Sequence, residues 1–293
     1  MTDTTTPLRP ADFRCHTRLR VRWAEVDMQK IVFNGHYLTY IDTAMGDYWR
    51  ALAMPYEASM QVLGGEIYLK KASVEYHASA RLDDLLDIGL RCEGVGNSSL
   101  RFAAGVFAGG RLLVSGELLY VFADPATQTS RPVPPALRAI FTHYEAGGGV
   151  TEVRTGDWNA LGRDAARLRT AVFVREQSIP AELDADALDA TALHAVAYNR
   201  LGMAVGTGRL LRKAPGVGQI GRMAVDHGLR GGGVGRELLD GLVAAARARG
   251  DRQVVLHAQA SAQRFYERAG FSVQGAPYEE AGLPHIDMAL SLE

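Results

Sequence analysis

The stretch Arg230-Gly231-Gly232-Gly233-Val234-Gly235 constrains this chain more than any other: an apolar run, Ile220 to Val225, leads into it and a helical run, Arg236 to Arg249, follows. That order predicts a strand, a tight loop and a helix. Glycines let a backbone approach a ligand closely and turn several N–H groups toward one point, and a helix amino terminus adds about half a positive charge. Such a loop suits a pyrophosphate. A nucleotide-triphosphate loop would continue Gly-Lys-Ser/Thr, whereas Gly235 is followed by Arg236-Glu237, which excludes it. A dinucleotide site needs an acidic ribose ligand about twenty residues on, and Asp251 lies near that distance, so spacing alone leaves that ligand open.

The downstream sequence decides. After a second apolar strand, Gln253 to Ala258, comes Gln259-Ala-Ser-Ala262-Gln-Arg-Phe-Tyr266-Glu-Arg-Ala-Gly270-Phe271. This resembles the GNAT N-acetyltransferases, in which an Arg/Gln-x-x-Gly-x-Gly/Ala loop holds the pyrophosphate of acetyl-CoA, as Arg230, Gly233 and Gly235 would here. In that family a helix follows with Asn-x-x-Ala-x-x-x-Tyr before Gly-Phe; Ala262, Tyr266, Gly270 and Phe271 keep the pattern, and Gln259 stands in the usual Asn place. The resemblance covers roughly residues 150 to 293. Two further segments, Arg169 to Gln177 and Glu280 to Met288, are similar to the ElaA/YjcF-type branch, whose substrates are poorly defined.

The resemblance implies that an uncharged amine attacks acetyl-CoA while Tyr266 gives the leaving thiolate its proton. Backbone amides of Met223, Ala224 and Val225 would hold the acetyl carbonyl and pantetheine, and the loop Arg230, Gly231, Gly232, Gly233, Val234, Gly235 the phosphates, with Gln259 nearby. The base is open among Glu176, His257, His285 and Asp287; Glu176 and His285 lie in the branch-like segments and are the first choices. Arg222 is a second candidate for phosphate. Each has a plainer alternative, an ion pair for Glu176 and a buried polar contact for His285.

The first half reads differently. Thr17 to Val26 alternates as a strand with Leu19, Val21 and Trp23 on one face, and a helix follows in which Asn34 is the expected N-cap and Tyr37, Ile41, Ala44, Tyr48 and Leu52 form one buried stripe. Glu66 to Tyr76, Leu85 to Gly94, Ser98 to Ala108 and Arg111 to Phe122 read as strands divided by Gly, Asn or Asp turns. One long helix with a meandering antiparallel sheet is an α+β layout.

The loop Trp23-Ala-Glu-Val-Asp27-Met-Gln-Lys30-Ile-Val32-Phe33-Asn34-Gly35-His36-Tyr37 resembles the hotdog-fold acyl-CoA thioesterases of the 4-hydroxybenzoyl-CoA/YbgC type, over about residues 15 to 144. The resemblance implies Asp27 as the catalytic carboxylate, acting as base or nucleophile. Backbone N–H groups of Phe33, Asn34 and Gly35 at the helix start would then stabilise the thioester oxyanion. Some hotdogs are hydratases with His five residues after the Asp, but position 32 is Val. Lys30 replaces the family's usual Gly and Asn34 a His, and a lysine paired with Asp27 would weaken it, leaving a non-catalytic assembly or acyl-CoA-sensing module as the alternative.

The chain is thus expected to be α+β overall. An amino-terminal hotdog, residues 1–146, is followed across Glu145-Ala-Gly-Gly-Gly-Val150 by an α/β GNAT domain with a mixed sheet, residues 150–293. Both halves point to a coenzyme A thioester, which the first would hydrolyse and the second would use to acylate an amine, and no metal is expected. With 32 basic and 33 acidic residues there is no bulk field for nucleic acid or an anionic membrane. Cys15 and Cys92 carry no metal-like spacing and suit two free thiols in a reducing compartment. Met1 to Asp12 has no apolar signal core, and a cytoplasmic location is expected. Hotdogs cover their sheet edges by pairing, so a homodimer or homotetramer through that domain is implied.

Overall fold

The computed structural model describes residues 7–184, 186–280 and 282–292. The first six residues of the polar Met1 to Asp12 stretch lie outside them. Contacts divide the chain into two units, one ending at Val150 and one beginning at Thr151.

In the first unit the elements run β1 (Cys15–Arg20), α1 (His36–Ala51), α2 (Tyr56–Leu63), β2 (Glu66–Tyr76), β3 (Leu85–Val95), β4 (Ser99–Ala108), β5 (Arg111–Ala123) and α3 (Pro135–Glu145). The strands form one antiparallel sheet in the order β1-β3-β4-β5-β2. The apolar stripe of α1 is buried against it, with Tyr37, Ile41, Ala44, Tyr48 and Leu52 all at 2% exposure or less. Glycine makes the close approach possible at Gly116, where a Cβ would come within 3.2 Å of Ile41 Cδ1. Tyr48 also packs edge-on to Phe102 of β4 and Tyr144 of α3.

Three expectations change here. The first strand ends at Arg20, because the chain turns into a 3₁₀ segment, Trp23–Glu25, and Trp23 is 79% exposed and does not share the buried face of Val21. The N-cap of α1 is Gly35, one residue after Asn34, and no side chain caps it. Helices α2 and α3 join the expected single helix. Glu145, at the end of α3, accepts hydrogen bonds from Tyr48 Oη at 2.5 Å and from the Cys92 N–H at 2.8 Å, fastening that helix to the core.

The second unit runs β6 (Thr151–Gly156), α4 (Trp158–Arg169), a π-helical turn (Thr170–Glu176), α5 (Ala181–Asp184), β7 (Leu193–Asn199), β8 (Ala204–Ala214), β9 (Val217–Val225), α6 (Val234–Ala248), β10 (Gln253–Gln259), α7 (Gln263–Arg268), β11 (Ser272–Glu280) and β12 (Leu283–Ser291). Seven strands form a mixed sheet, ordered β11-β12-β10-β9-β8-β7-β6, in which β9 and β10 are parallel and the other neighbours antiparallel. Parallel neighbours need a crossover, and α6 supplies it, burying Val234, Leu238, Leu239, Leu242 and Ala246. Asp157 caps α4 by accepting the Ala160 N–H at 2.9 Å.

Candidate functional site

Pairing between β9 and β10 stops at Ile220 opposite Leu256. Beyond that point β9 is irregular: Arg222 adopts φ +54° and the β8 register shifts between Thr207 and Arg209. A bulge turns a strand away from its neighbour. In the opening lies a cavity of about 430 Å³ lined by residues that include Phe173, Gln177, Met223, His257, Tyr266 and His285. Of the three strand residues expected to hold the acyl arm, Met223 lines the cavity, whereas Ala224 is buried and pairs with Thr207, and Val225 pairs with Gly206.

The glycine loop leaves β9 through a 3₁₀ turn, His227–Leu229, and enters α6 at Gly233. Gly231 and Gly233 sit at φ +82° and +97°, and a Cβ on either would meet nothing within 4 Å, so glycine is required there by conformation. The N–H of Gly232 is used by Leu229 O at 3.3 Å; among the described residues no partner engages those of Gly231, Gly233, Val234 or Gly235. These donors at a helix start are a ready anion cradle.

Arg230 is differently placed. Its guanidinium grips Glu176 with two parallel bonds of 2.6 Å. Those bonds, chiefly, hold the Glu176 carboxyl below its usual range, which makes it a poor base, and Glu176 is not a lining residue of the cavity. The first-choice pair of base and phosphate ligand is therefore one ion pair. Arg222, the second phosphate candidate, is held by Asp186 at 3.1 Å. Gln259 donates to Gln177 Oε1 at 3.0 Å, bridging β10 to the end of the π-helical turn.

Asp186 belongs to a larger, partly buried cluster. Arg209 reaches Asp186 and Asp189 at 2.7 Å each, and Arg169, at the end of α4, places Nη1 2.9 Å from both oxygens of Asp189. Burial would raise the Asp189 carboxyl, but hydrogen bonds from Arg169 and Arg209 outweigh it and hold the group low.

Tyr266 is 8% exposed, between Phe265 and Phe271, and no described residue hydrogen-bonds its hydroxyl. Burial pushes its phenol up to about 12. His285 lines the cavity with Nδ1 2.8 Å from Leu283 O; a carbonyl only accepts, so Nδ1 carries the proton. Opposite lies a group ranked lower from sequence. His257 Nδ1 is 2.6 Å from Asp287 Oδ1, and Tyr278 Oη is 2.8 Å from both and donates to the carboxylate. Partial desolvation would raise Asp287, yet the bonds from His257 and Tyr278 hold it low. His257 faces Asp287 and Gln259 faces His285 across the β10–β12 ladder, so alternation puts all four on one sheet face.

In the first unit, Asp27 lies in a loop that doubles back. Val26 bridges Val32, the Asp27 N–H reaches Ile31 O at 2.9 Å, and Asp27 Oδ1 accepts the Gln29 N–H at 2.8 Å. Lys30 has φ +61°, a left-handed position that explains a glycine preference there, and no ion pair joins it to Asp27 among the described residues. The Phe33 N–H is already used by Glu25 O at 2.9 Å, so of the three expected oxyanion donors only those of Asn34 and Gly35 have no partner among the described residues. Sequence reading missed Glu25, which is buried. Its carboxylate takes Arg22 Nε, the Arg22 N–H and Tyr40 Oη, each at 2.7 Å, and so ties the loop to α1. Tyr37 Oη accepts the Ala80 N–H at 2.9 Å, and His36 stacks edge-on to Phe33.

The GNAT acetyltransferase domain model matches residues 160–292. The uncharacterized N-acetyltransferase YjcF of Bacillus subtilis is 36% identical over 127 residues, 43% of this chain and 89% of that protein. Residues 160–292 belong to the GNAT acetyltransferases. Protein ElaA of Escherichia coli is 37% identical to the acetyltransferase unit over 127 residues, covering 42% of this chain and 82% of its own length. The thioesterase superfamily model matches residues 29–115, and the acyl-CoA thioester hydrolase YbgC of Escherichia coli is 30% identical over 127 residues, 42% of this chain and 92% of that protein. The first unit is a thioesterase-superfamily hotdog domain, so the chain joins two families that act on CoA-linked substrates.

No cluster of three or more His, Cys, Asp or Glu able to hold a metal occurs among the described residues of either unit. No described helix is long and apolar enough to cross a membrane.

Proposed function

We propose that the acetyltransferase unit transfers an acetyl group from acetyl-CoA to an amine, and that the opening between β9 and β10 beside the glycine loop carries this reading. Pyrophosphate would rest on the unpartnered N–H groups of Gly231, Gly233, Val234 and Gly235, with the acyl arm along the unpaired side of β9 at Met223. The amine lone pair attacks the thioester carbon, the C–S bond breaks, and the sulfur takes up a proton. Tyr266 is the donor at the sulfur. A phenol at about 12 is a weaker acid than a thiol near ~8.5. It therefore acts first as a hydrogen-bond donor and passes its proton on as the amine nitrogen gives one up.

For the hotdog domain the reading is acyl-CoA hydrolysis. Asp27 activates water or attacks the carbonyl itself, and the Asn34 and Gly35 N–H groups receive the oxyanion. Apolar side chains stand exposed around this loop, Met28 at 100% and Phe33 at 52%, which supports a long or aromatic acyl group and spares the transferase's acetyl-CoA. The edge strand β2, with Tyr68 and Leu69 half exposed, supports pairing with a second copy in a homodimer or homotetramer.

The test is thiol release from a panel of acyl-CoAs without amine, comparing wild type with Asp27→Asn, alongside calorimetric binding of acetyl-CoA. Release abolished by Asp27→Asn supports the hydrolase. Bound acetyl-CoA without release from any thioester reduces the hotdog domain to an assembly or sensing module.

A further inference from the structure

We propose that His257 is the base of the acetyl transfer, oriented by Asp287 and Tyr278, and that the acceptor is an aliphatic amine arriving as its ammonium. This rests on the acetyl-transfer reading above. A carboxylate can only accept, so the 2.6 Å contact with Asp287 Oδ1 puts the His257 proton on Nδ1 and the lone pair on Nε2, and His257 lines the cavity that Tyr266 also lines. Asp287 then stabilises the imidazolium that forms, and Tyr278, bridging both partners at 2.8 Å, fixes the pair in place. His285 spends its Nδ1 proton on a neutral carbonyl and lacks that carboxylate.

The step balances. The ammonium gives one proton to His257 Nε2 and becomes a nucleophile; its nitrogen attacks the acetyl carbon and the thiolate leaves. The second nitrogen proton goes to sulfur through Tyr266, and His257 returns its own to solvent. An arylamine is uncharged at neutral pH and needs no such base. Asp287 from β12 and Tyr278 from β11 touch His257, and Glu280 from β11, His285 from β12 and Arg222 from β9 line the same cavity, with Lys213 of β8 acting on Asp287 at longer range. The carboxylates beside the cavity suit a cation.

Two measurements on the full chain test this. Nitrogen-15 NMR of the imidazole rings, with and without CoA, should show His257 protonated at Nδ1 and bare at Nε2, with that preference lost in Asp287→Asn. A proton on Nε2 in the wild type overturns the proposal. Transfer from acetyl-CoA is then followed with benzylamine, an ammonium at neutral pH, and aniline, which is not. The His257→Gln variant should lose about 10²-fold or more on benzylamine together with the rising limb of its pH profile, and should change little on aniline. Equal losses on both, or acetylation of aniline in preference to benzylamine by the wild type, overturns it. Calorimetry with acetyl-CoA separates the outcomes: no binding removes the acetyl-transfer reading itself, whereas binding with the wrong tautomer removes only the base.

Discussion

Replacing Asp189 with Asn should weaken the acetyltransferase unit more than any change at its surface. The cluster around it holds three guanidinium groups, Arg169, Arg209 and Arg222, against two carboxylates, Asp186 and Asp189. The side chains of Arg169, Arg209 and Asp189 are 2%, 7% and 6% exposed, so water screens them little. Asn keeps the shape but removes the charge and turns an NH₂ toward donors. Breaking a buried pair from one side costs about 3–5 kcal/mol, which is about two to three and a half powers of ten in an opening equilibrium. Hydrogen exchange read by mass spectrometry on β7 and β8 peptides measures it, with β3 and β4 of the hotdog domain as internal reference. The sign with pH also follows. Asp189 has a depressed carboxyl in the fold, so its contribution is complete above its unfolded value near ~3.9 and is lost as pH falls through the folded one. The difference between wild type and variant should therefore be full at neutral pH and shrink only in strong acid. A change in β8 exchange of less than tenfold at neutral pH would refute the reasoning.

Three further outcomes are expected. Lys30→Gly should relieve a left-handed residue at φ +61°, worth about 1–2 kcal/mol, against about 0.5–1 kcal/mol of added chain entropy, so the hotdog domain should be as stable or slightly more stable in denaturant titration. Gly233→Ala, at φ +97° at the start of α6, should lower acetyl-CoA affinity measured by calorimetry by about tenfold, because about 1–2 kcal/mol of backbone strain moves the donors off their common point; unchanged affinity would remove the loop from the site. Tyr266→Phe should leave acetyl-CoA affinity within about twofold and cut the turnover of benzylamine by about 10²-fold; loss of binding instead would make Tyr266 a packing residue.

Local pattern carried much of this structure. The four strands β2 to β5 alternate or break at Gly, Asn and Asp turns, and α1 repeats apolar residues at helical spacing, so each could be read one segment at a time. Likewise, the glycine loop could be read from its own residues as a strand, a tight turn and a helix. What the sequence hid was register across distance. Glu176 and Arg230 are 54 positions apart, and nothing local says that the base candidate and the phosphate candidate hold each other. His257 and Asp287 are 30 apart. Their signal was present as two alternating pairs, His257-x-Gln259 and His285-x-Asp287, but only strand pairing reveals that they face each other. The Asn34 N-cap missed by one residue because the chain makes a further turn, His36 N–H to Phe33 O at 2.9 Å, before the helix begins.

The gap between β9 and β10 has a thermodynamic corollary. Past Ile220 and Leu256 the sheet gives up the ladder that would lock its two halves together. A bound molecule carrying its own amide groups could lie there as a surrogate strand, and its contacts would exist only in the folded chain. Stability and occupancy would then be linked by mass action, with about 2.7 kcal/mol added when free ligand stands at a hundred times its dissociation constant. The abundance of such a ligand in the cell would thereby help decide how long this protein resists unfolding and proteolysis.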